Sequence, residues 1–246
     1  MKWRVMELET LDPYLAMGLE EVVLEHVAAG GDPIVHFWDW EKKAVTIGNF
    51  QNAEGEVYLH RCKRSGVPVI RRASGGGTMF HVPSNEIVFS ICAPPGVISN
   101  DISRSYLELL EPIVGALKGF GLNTTIDENN IMLGKKKISG SAQRRTAKAV
   151  LHHGTILFEV NEWEMFSYIK GDKAESEVKG TCSNYKPVTS IMDHLDITLE
   201  ELYEGVRDSL LEERDTFSSS WTERELKRAM DLKNSKYSTD SWNLKS

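Results

Sequence analysis

The chain has 246 residues, room for one large domain or one domain with a small appendage. With 41% hydrophobic and 26% charged residues it has the make-up of a folded protein, which excludes disorder as the main state. A formal charge of −7 argues against a general electrostatic hold on nucleic acid, so an anionic ligand must meet a local basic patch.

In chain order, the first predicted helix is capped by Asp12, with Pro13 in the first helical position. Leu15, Leu19, Val22, Val23 and Val27 recur at helical spacing until Gly30-Gly31 stops them. Apolar runs at Ile34 to Trp38 and Ala44 to Gly48, separated by charged residues, predict a hairpin. A helix is expected over Val57 to Arg64, then strands over Val67 to Ile70 and Glu86 to Ala93. Leu107, Leu110, Ile113, Val114 and Leu117 mark an amphipathic helix that ends at Gly119-Phe120-Gly121. Strands follow over Leu122 to Ile126, Asn130 to Leu133, Lys137 to Ser141 and Val150 to Val160, before a polar, helical tail. The fold class expected is α+β, a mixed and largely antiparallel sheet with helices on one face. The division expected is a catalytic domain over 1–195 and a helical extension over 196–246 that is too thin for its own core.

No apolar run approaches the roughly 20 residues that span a bilayer, and the N-terminal residues lack an apolar signal core. No membrane contact and a cytoplasmic setting are therefore expected. Cys62, Cys92 and Cys182 are widely spaced, with no Cys-x-x-Cys pair, and suggest neither a disulfide framework nor a cysteine-based zinc site.

The chemistry concentrates in three stretches. In Arg71-Arg72-Ala73-Ser74-Gly75-Gly76-Gly77-Thr78-Met79-Phe80-His81, three glycines let backbone N–H groups approach a ligand, and two arginines bring forked donors suited to phosphate or carboxylate. A wide hairpin loop flanked by solubilising arginines has the same composition. The stretch is neither a P-loop nor a dinucleotide fingerprint. From Asp127 to Lys148, six basic residues face two acidic ones, a reversal of the overall charge that favours an anion site. Alternation there places Lys137, Ser139 and Ser141 on one strand face, and Lys137 is the residue expected to stabilise charge developing on phosphorus. In His152-His153-Gly154-Thr155, adjacent strand histidines point to opposite faces, so both cannot easily ligate one metal.

These motifs, with Asn129-Asn130-Ile131 and Gly134-Lys135-Lys136-Lys137-Ile138-Ser139-Gly140-Ser141-Ala142 in the same order, resemble the lipoate-protein ligase family over residues 1 to 195. The resemblance implies the catalytic fold shared with biotin-protein ligases. It implies an enzyme that uses ATP and Mg²⁺ to adenylate lipoate and then passes the lipoyl group to a lysine of an acceptor protein domain. It implies Lys137 as the catalytic residue. Arg72, Ser74, Gly75, Gly76, Gly77, Thr78, Phe80, His81, Asn129, Ser139, Gly140, His153 and Gly154 would bind substrate and nucleotide. Trp38, Val45, Ile70 and Phe80 are expected to wall an apolar slot for the acyl tail.

Two positions depart from the family pattern: His81-Val82 stands where His-Asp is common, and Asn129-Asn130 where Asn-Asp is common. No residue is therefore assigned to Mg²⁺. Residues 196–246 are too few for the additional C-terminal domain of many such ligases, and their final segment resembles that of split ligases, so a separate accessory subunit is expected. Two other readings compete. One is an octanoyltransferase using Cys182 as its thioester nucleophile, with Lys179 and Lys186 favouring the thiolate. The other is a non-catalytic lipoyl-binding protein.

Overall fold

Strand β1 (Trp3–Leu11) opens the chain and leads through the Asp12 cap into helix α1 (Pro13–Ala28), as the sequence predicts for the helix. The Asp12 carboxylate accepts from the amides of Tyr14 and Leu15. The computed structural model describes residues 1–171, 182, 183 and 185–245. Next come β2 (Ile34–Trp40), β3 (Ala44–Ile47), α2 (Ala53–Glu56), α3 (Leu59–Ser65), β4 (Val69–Arg71), β5 (Met79–His81) and β6 (Glu86–Ala93). Helix α4 (Ile102–Gly119), strands β7 (Thr124–Asp127), β8 (Asn130–Leu133), β9 (Lys136–Arg145) and β10 (Val150–Leu157), and helix α5 (Glu162–Tyr168) follow. The tail holds α6 (Leu199–Leu211), β11 (Thr216–Ser218), α7 (Glu223–Leu232), a π-helical segment over Lys233–Tyr237 and α8 (Asp240–Asn243).

Eight strands form one sheet in the order β11-β1-β2-β6-β10-β9-β8-β7, and β4-β3-β5 form a second. Among the described strands, pairing is parallel at β11/β1, β1/β2 and β3/β4 and antiparallel elsewhere, so the architecture is α+β with a mixed, largely antiparallel sheet. Every residue of β2, β6 and β10 is buried. The long apolar runs at these positions supply the core, at about 1.5–3 kcal/mol for each large side chain buried.

Three expectations are corrected. Helices cover both faces of the large sheet rather than one: α4 and α6 pack over Val35, Phe37, Ile87, Phe89 and Ile156, and α1 and α7 cover Trp38 and Val88. Strands β2 and β3 are not a hairpin. Both edges of β2 are occupied, by β1 and β6, so β3 has no place beside it and joins the small sheet. The helix expected over Val57 to Arg64 is present as α3 but begins two residues later, because Val57 is extended and bridges to Ile169.

The tail is fastened to the main body. Leu202, Val206 and Leu210 of α6 enter the α4 core, and Ala229, Leu232 and Tyr237 join the α1 core.

Candidate active site

A cavity of about 330 Å³ lies where the two sheets face each other. The large sheet contributes Trp38, Trp40, Val88, Lys137, Gly140, His153 and Leu157 to its wall, and the small sheet contributes Thr46, Phe80 and His81. The loop residues Arg72, Gly76, Gly77 and Thr78, helix α5 through Met165, and the segment Cys182-Ser183 complete it. One part of the wall is therefore apolar and another carries cations. Trp38 Nε1, Trp40 Nε1, Glu86 Oε2 and Thr155 Oγ1, all on lining residues, have no hydrogen-bond partner among the described residues. Buried polar atoms left in this way favour a polar ligand.

The glycine loop is shaped by Arg72. Its guanidinium, 7% exposed, donates through Nη2 to the carbonyls of Gly75 (3.0 Å) and Gly77 (2.8 Å) and through Nη1 to Thr46 Oγ1 (2.8 Å). Burial lowers its pKa to about 10. With two carbonyls turned to Arg72, the amides of Gly75, Gly76 and Gly77 donate to no acceptor among the described residues, which suits an anion. Gly76 has φ +90°, where a side chain is strained, and its neighbour across the loop, Gly48, approaches so closely that a Cβ there would lie 2.1 Å from the Gly76 carbonyl oxygen. Thr78 closes the turn, its amide donating to Ser183 Oγ at 3.0 Å.

Lys137 enters the cavity from the start of β9, where its backbone is held between Pro187 and Thr189. No hydrogen bond or ion pair engages its ammonium among the described residues. Burial, then the charges of Lys186 and Arg72, lower its pKa to about 8. Lys186, also on the wall, is paired with Asp127 at 2.6 Å.

Strict alternation fails at this point. The register of β8 against β9 shifts so that Met132 faces Lys137 while Ile131 faces Ser139. This bulge puts Lys137 on the same face as Gly140, where a Cβ would sit 3.4 Å from the ammonium. Ser139 instead lies on the α4 side, opposite Ile131 and Ile156, and is fully buried. The expectation that Lys137, Ser139 and Ser141 share a face is thereby corrected.

Two buried histidines brace the site from behind. His81 bonds to Glu86 through Nδ1 (2.5 Å) and to Thr46 Oγ1 through Nε2 (2.8 Å), with the Trp40 ring 4.3 Å away. His153 bonds to Glu20 through Nδ1 (2.5 Å) and to Ser74 Oγ through Nε2 (2.7 Å), tying the root of the glycine loop to α1. Its neighbour His152 faces the other way, against Phe89 and Tyr106, and burial lowers its pKa to about 3. The absent side chain of Gly154 makes room for Phe89, whose ring would be 2.6 Å from a Cβ there. Asn129 lines the cavity, while its Nδ2 donates to the Ser141 carbonyl at 2.5 Å and so fastens the β7–β8 turn to β9.

The structure thus brings Arg72, Gly76, Gly77, Thr78, Phe80, His81, Asn129, Lys137, Gly140, His153 and Gly154 to one cavity, and leaves Ser74, Gly75 and Ser139 off its wall. Of the expected acyl slot, Trp38 and Phe80 line the cavity, whereas Val45 and Ile70 belong to the cores. Arg71 points away from it. Sequence reasoning missed Gln51, Glu56 and Ser183, which close one end. Gln51 Nε2 donates to Ser183 Oγ (3.0 Å), and Glu56 accepts from the Ser183 amide (2.9 Å) and the Thr78 hydroxyl (3.1 Å). Nothing in the polar run Gln51-Asn52-Ala53-Glu54-Gly55-Glu56 set these residues apart in the sequence. Cys182 is exposed and on the wall, and Lys179, expected beside it, lies outside the described residues.

Residues 12–211 match the family model described as the lipoyl protein ligase A/B catalytic domain. The lipoate-protein ligase A subunit 1 of Thermoplasma acidophilum is 28% identical over 260 aligned positions, covering 99% of this chain and 97% of that one. An octanoyltransferase LipM of Exiguobacterium sibiricum is also 28% identical, covering 67% of this chain and 69% of its own. A T. acidophilum lipoate protein ligase structure with bound lipoic acid superposes at a TM-score of 0.85, with 26% identity and full coverage of both chains. A lipoate-protein ligase A bound with ATP and a structure of the bipartite T. acidophilum ligase with its E2 lipoyl domain give the same TM-score and identity over 99% of this chain, and cover 99% and 96% of those chains. This chain belongs to the lipoyl protein ligase A/B catalytic domain family.

Proposed function

We propose that the chain is an ATP-dependent lipoate-protein ligase that works beside a separate accessory subunit and modifies a lysine of an acceptor protein domain. The observation that carries this reading is the Lys137 ammonium, buried beside an apolar cavity, next to a loop with unclaimed amides, and unpaired among the described residues. A desolvated cation of this kind is satisfied by an incoming anion. Relatives crystallised with lipoic acid and with ATP support the two substrates, and the bipartite relative supports the partner and the acceptor.

In the first step a lipoate carboxylate oxygen attacks the α-phosphorus of ATP. The bond to the bridging oxygen breaks and pyrophosphate leaves with its electron pair. Lys137 neutralises charge on the non-bridging α-phosphate oxygens, and the Gly76 and Gly77 amides hold phosphate oxygens. In the second step the neutral amine of the acceptor lysine attacks the acyl carbon. The C–O bond to phosphate breaks, AMP leaves, and the amine's proton passes to solvent. Lys137 then faces the negative carbonyl oxygen of the tetrahedral intermediate. The apolar wall from Trp38 to Phe80 holds the acyl chain, at about 0.8 kcal/mol per methylene. Among the described residues no cluster of three or more His, Cys, Asp or Glu side chains is placed to hold a metal ion, so no side chain is assigned to Mg²⁺ and no step runs through it.

The exposed Cys182 on the cavity wall, with the LipM relatives, favours a second reading, octanoyl transfer through a thioester without ATP. Lipoate-dependent exchange between pyrophosphate and ATP, run with and without the accessory subunit, separates the two. Exchange that survives Cys182→Ser supports the ligase. Acyl transfer from an octanoyl carrier protein that is abolished by Cys182→Ser, without exchange, replaces it. Lipoate binding with neither activity leaves a non-catalytic lipoyl-binding protein.

A further inference from the structure

The Arg71-Arg72 pair divides its labour. Arg72 shapes the glycine loop, whereas Arg71, 1% exposed, turns the opposite way into a nest made entirely of carbonyl oxygens. Nη1 donates to Gly48 (3.2 Å), Asn49 (3.1 Å) and Gln51 (2.5 Å). Nε and Nη2 donate to Trp242 (3.1 Å), Asn243 (3.1 Å) and Lys245 (2.7 Å). No carboxylate pairs with this guanidinium among the described residues. The backbone is stitched as well, with the Arg71 amide donating to Asn243 Oδ1 (3.0 Å) and Trp242 Nε1 donating to the Arg71 carbonyl (2.9 Å). The Lys245 ammonium lies 3.7 Å over the Trp242 ring and donates to Asn49 Oδ1.

One segment held by Arg71 is the loop of residues 48–51, which abuts the site directly. Its Asn49 amide donates to the Ser74 carbonyl (2.8 Å), Gly48 packs on Gly76, and Gln51 holds Ser183 and Thr78 at one end of the cavity. The other segment is the end of the chain. A buried guanidinium is tolerated while its donors are taken, so losing either segment leaves donors unmade and disturbs the other.

We infer that the C-terminal residues Trp242 to Lys245 are a positioning element of the site, a strap that sets the 48–51 loop, and through it the Gln51–Ser183 closure, by way of Arg71. The inference rests on the cavity being the substrate site, but its first readout does not. Two variants of the full protein test it: Asn243→Ala, which removes the acceptor of the Arg71 amide, and a chain ending at Ser241. Hydrogen–deuterium exchange at residues 48–52 is expected to rise by about tenfold in Asn243→Ala, the effect of losing one buried hydrogen bond, while the β6 and β10 amides stay protected. KM for lipoate is expected to rise by a similar factor with kcat within about threefold of the parent, because the strap positions a wall and touches no reacting atom. Should the shortened chain fail to fold, Asn243→Ala alone decides. Unchanged exchange at residues 48–52 in a folded variant overturns the strap. Faster exchange in a protein that binds no lipoate in any form keeps the strap and overturns the reading of the cavity.

Discussion

Lys137 is a buried ammonium in the site, and the consequences of that burial separate by pH. Its pKa of about 8 lies below the ordinary 10.5 because the buried ammonium loses hydration and faces Lys186 and Arg72. The folded protein therefore gives up this proton at lower pH than the unfolded chain does. The burial penalty is present in full below about pH 8 and is relieved as pH rises from there towards 10.5. Lys137→Met keeps the aliphatic stem and removes the charge, so the ligand-free variant is expected to melt above the parent at pH 7, with the gap closing toward pH 10. The same change is expected to lower the rate of both half-reactions by about 10²–10³, the usual cost of removing a donor from developing charge. Thermal melts across pH and single-turnover rates check the two halves, and a variant that is both less stable and fully active would remove Lys137 from this role. The sequence disclosed Lys137 through the local excess of base. It could not disclose that Ser139 faces away, because a bulge is set by how β8 meets β9 and leaves no mark on the alternation itself.

At the scale of elements, what was legible followed from local rules. The Asp12-Pro13 start of α1, and β6 and β8 to the residue, come from caps and continuous apolar runs. The β2–β3 hairpin failed because adjacency in sequence does not reveal that both edges of β2 are already taken. Strand β1 was invisible for a related reason. Arg4, Glu7 and Glu9 interrupt its apolar pattern, and their partners, Glu225, Arg207 and Trp221, arrive from the tail. The connection after β3 shows how closely two loops are fitted. A methyl group at Gly48 would meet the Gly76 carbonyl, which is backbone and cannot rotate away. Gly48→Ala is therefore expected to displace the glycine loop, raising KM for ATP by about tenfold or more, with a stability loss of about 1–3 kcal/mol for the overpacked contact. Nucleotide titration beside a denaturant melt checks it. Unchanged affinity would mean that the loop has slack.

At the scale of the molecule, the tail determines whether the sheet keeps its β1 edge. Strand β11 extends that edge, and α7 lies on α1 so closely that a Cβ on Gly18 would be 2.6 Å from the Ala229 carbonyl oxygen. One electrostatic link is Arg4 to Glu225, bonded through both terminal guanidinium nitrogens, at 2.5 and 2.9 Å. Burial works to raise the Glu225 pKa, yet the Arg4 bond, the Thr222 amide and hydroxyl, and the Arg4 charge together bring it down to about 2 from 4.5. A depressed carboxylate stabilises the fold above its unfolded value and loses that contribution as pH falls through its folded value, so the window runs from about 4.5 down to about 2. Glu225→Gln is expected to cost about 1–3 kcal/mol at pH 7, as for hydrogen bonds to charged groups. The deficit should shrink through that window, because the parent loses its link there and the variant has none to lose. Melting temperatures of both proteins from pH 7 to pH 2, with exchange rates at α7, measure this. Two curves that stay parallel into acid would show that the tail is held by its apolar contacts, Ala229, Leu232 and Tyr237, rather than by the Arg4 link.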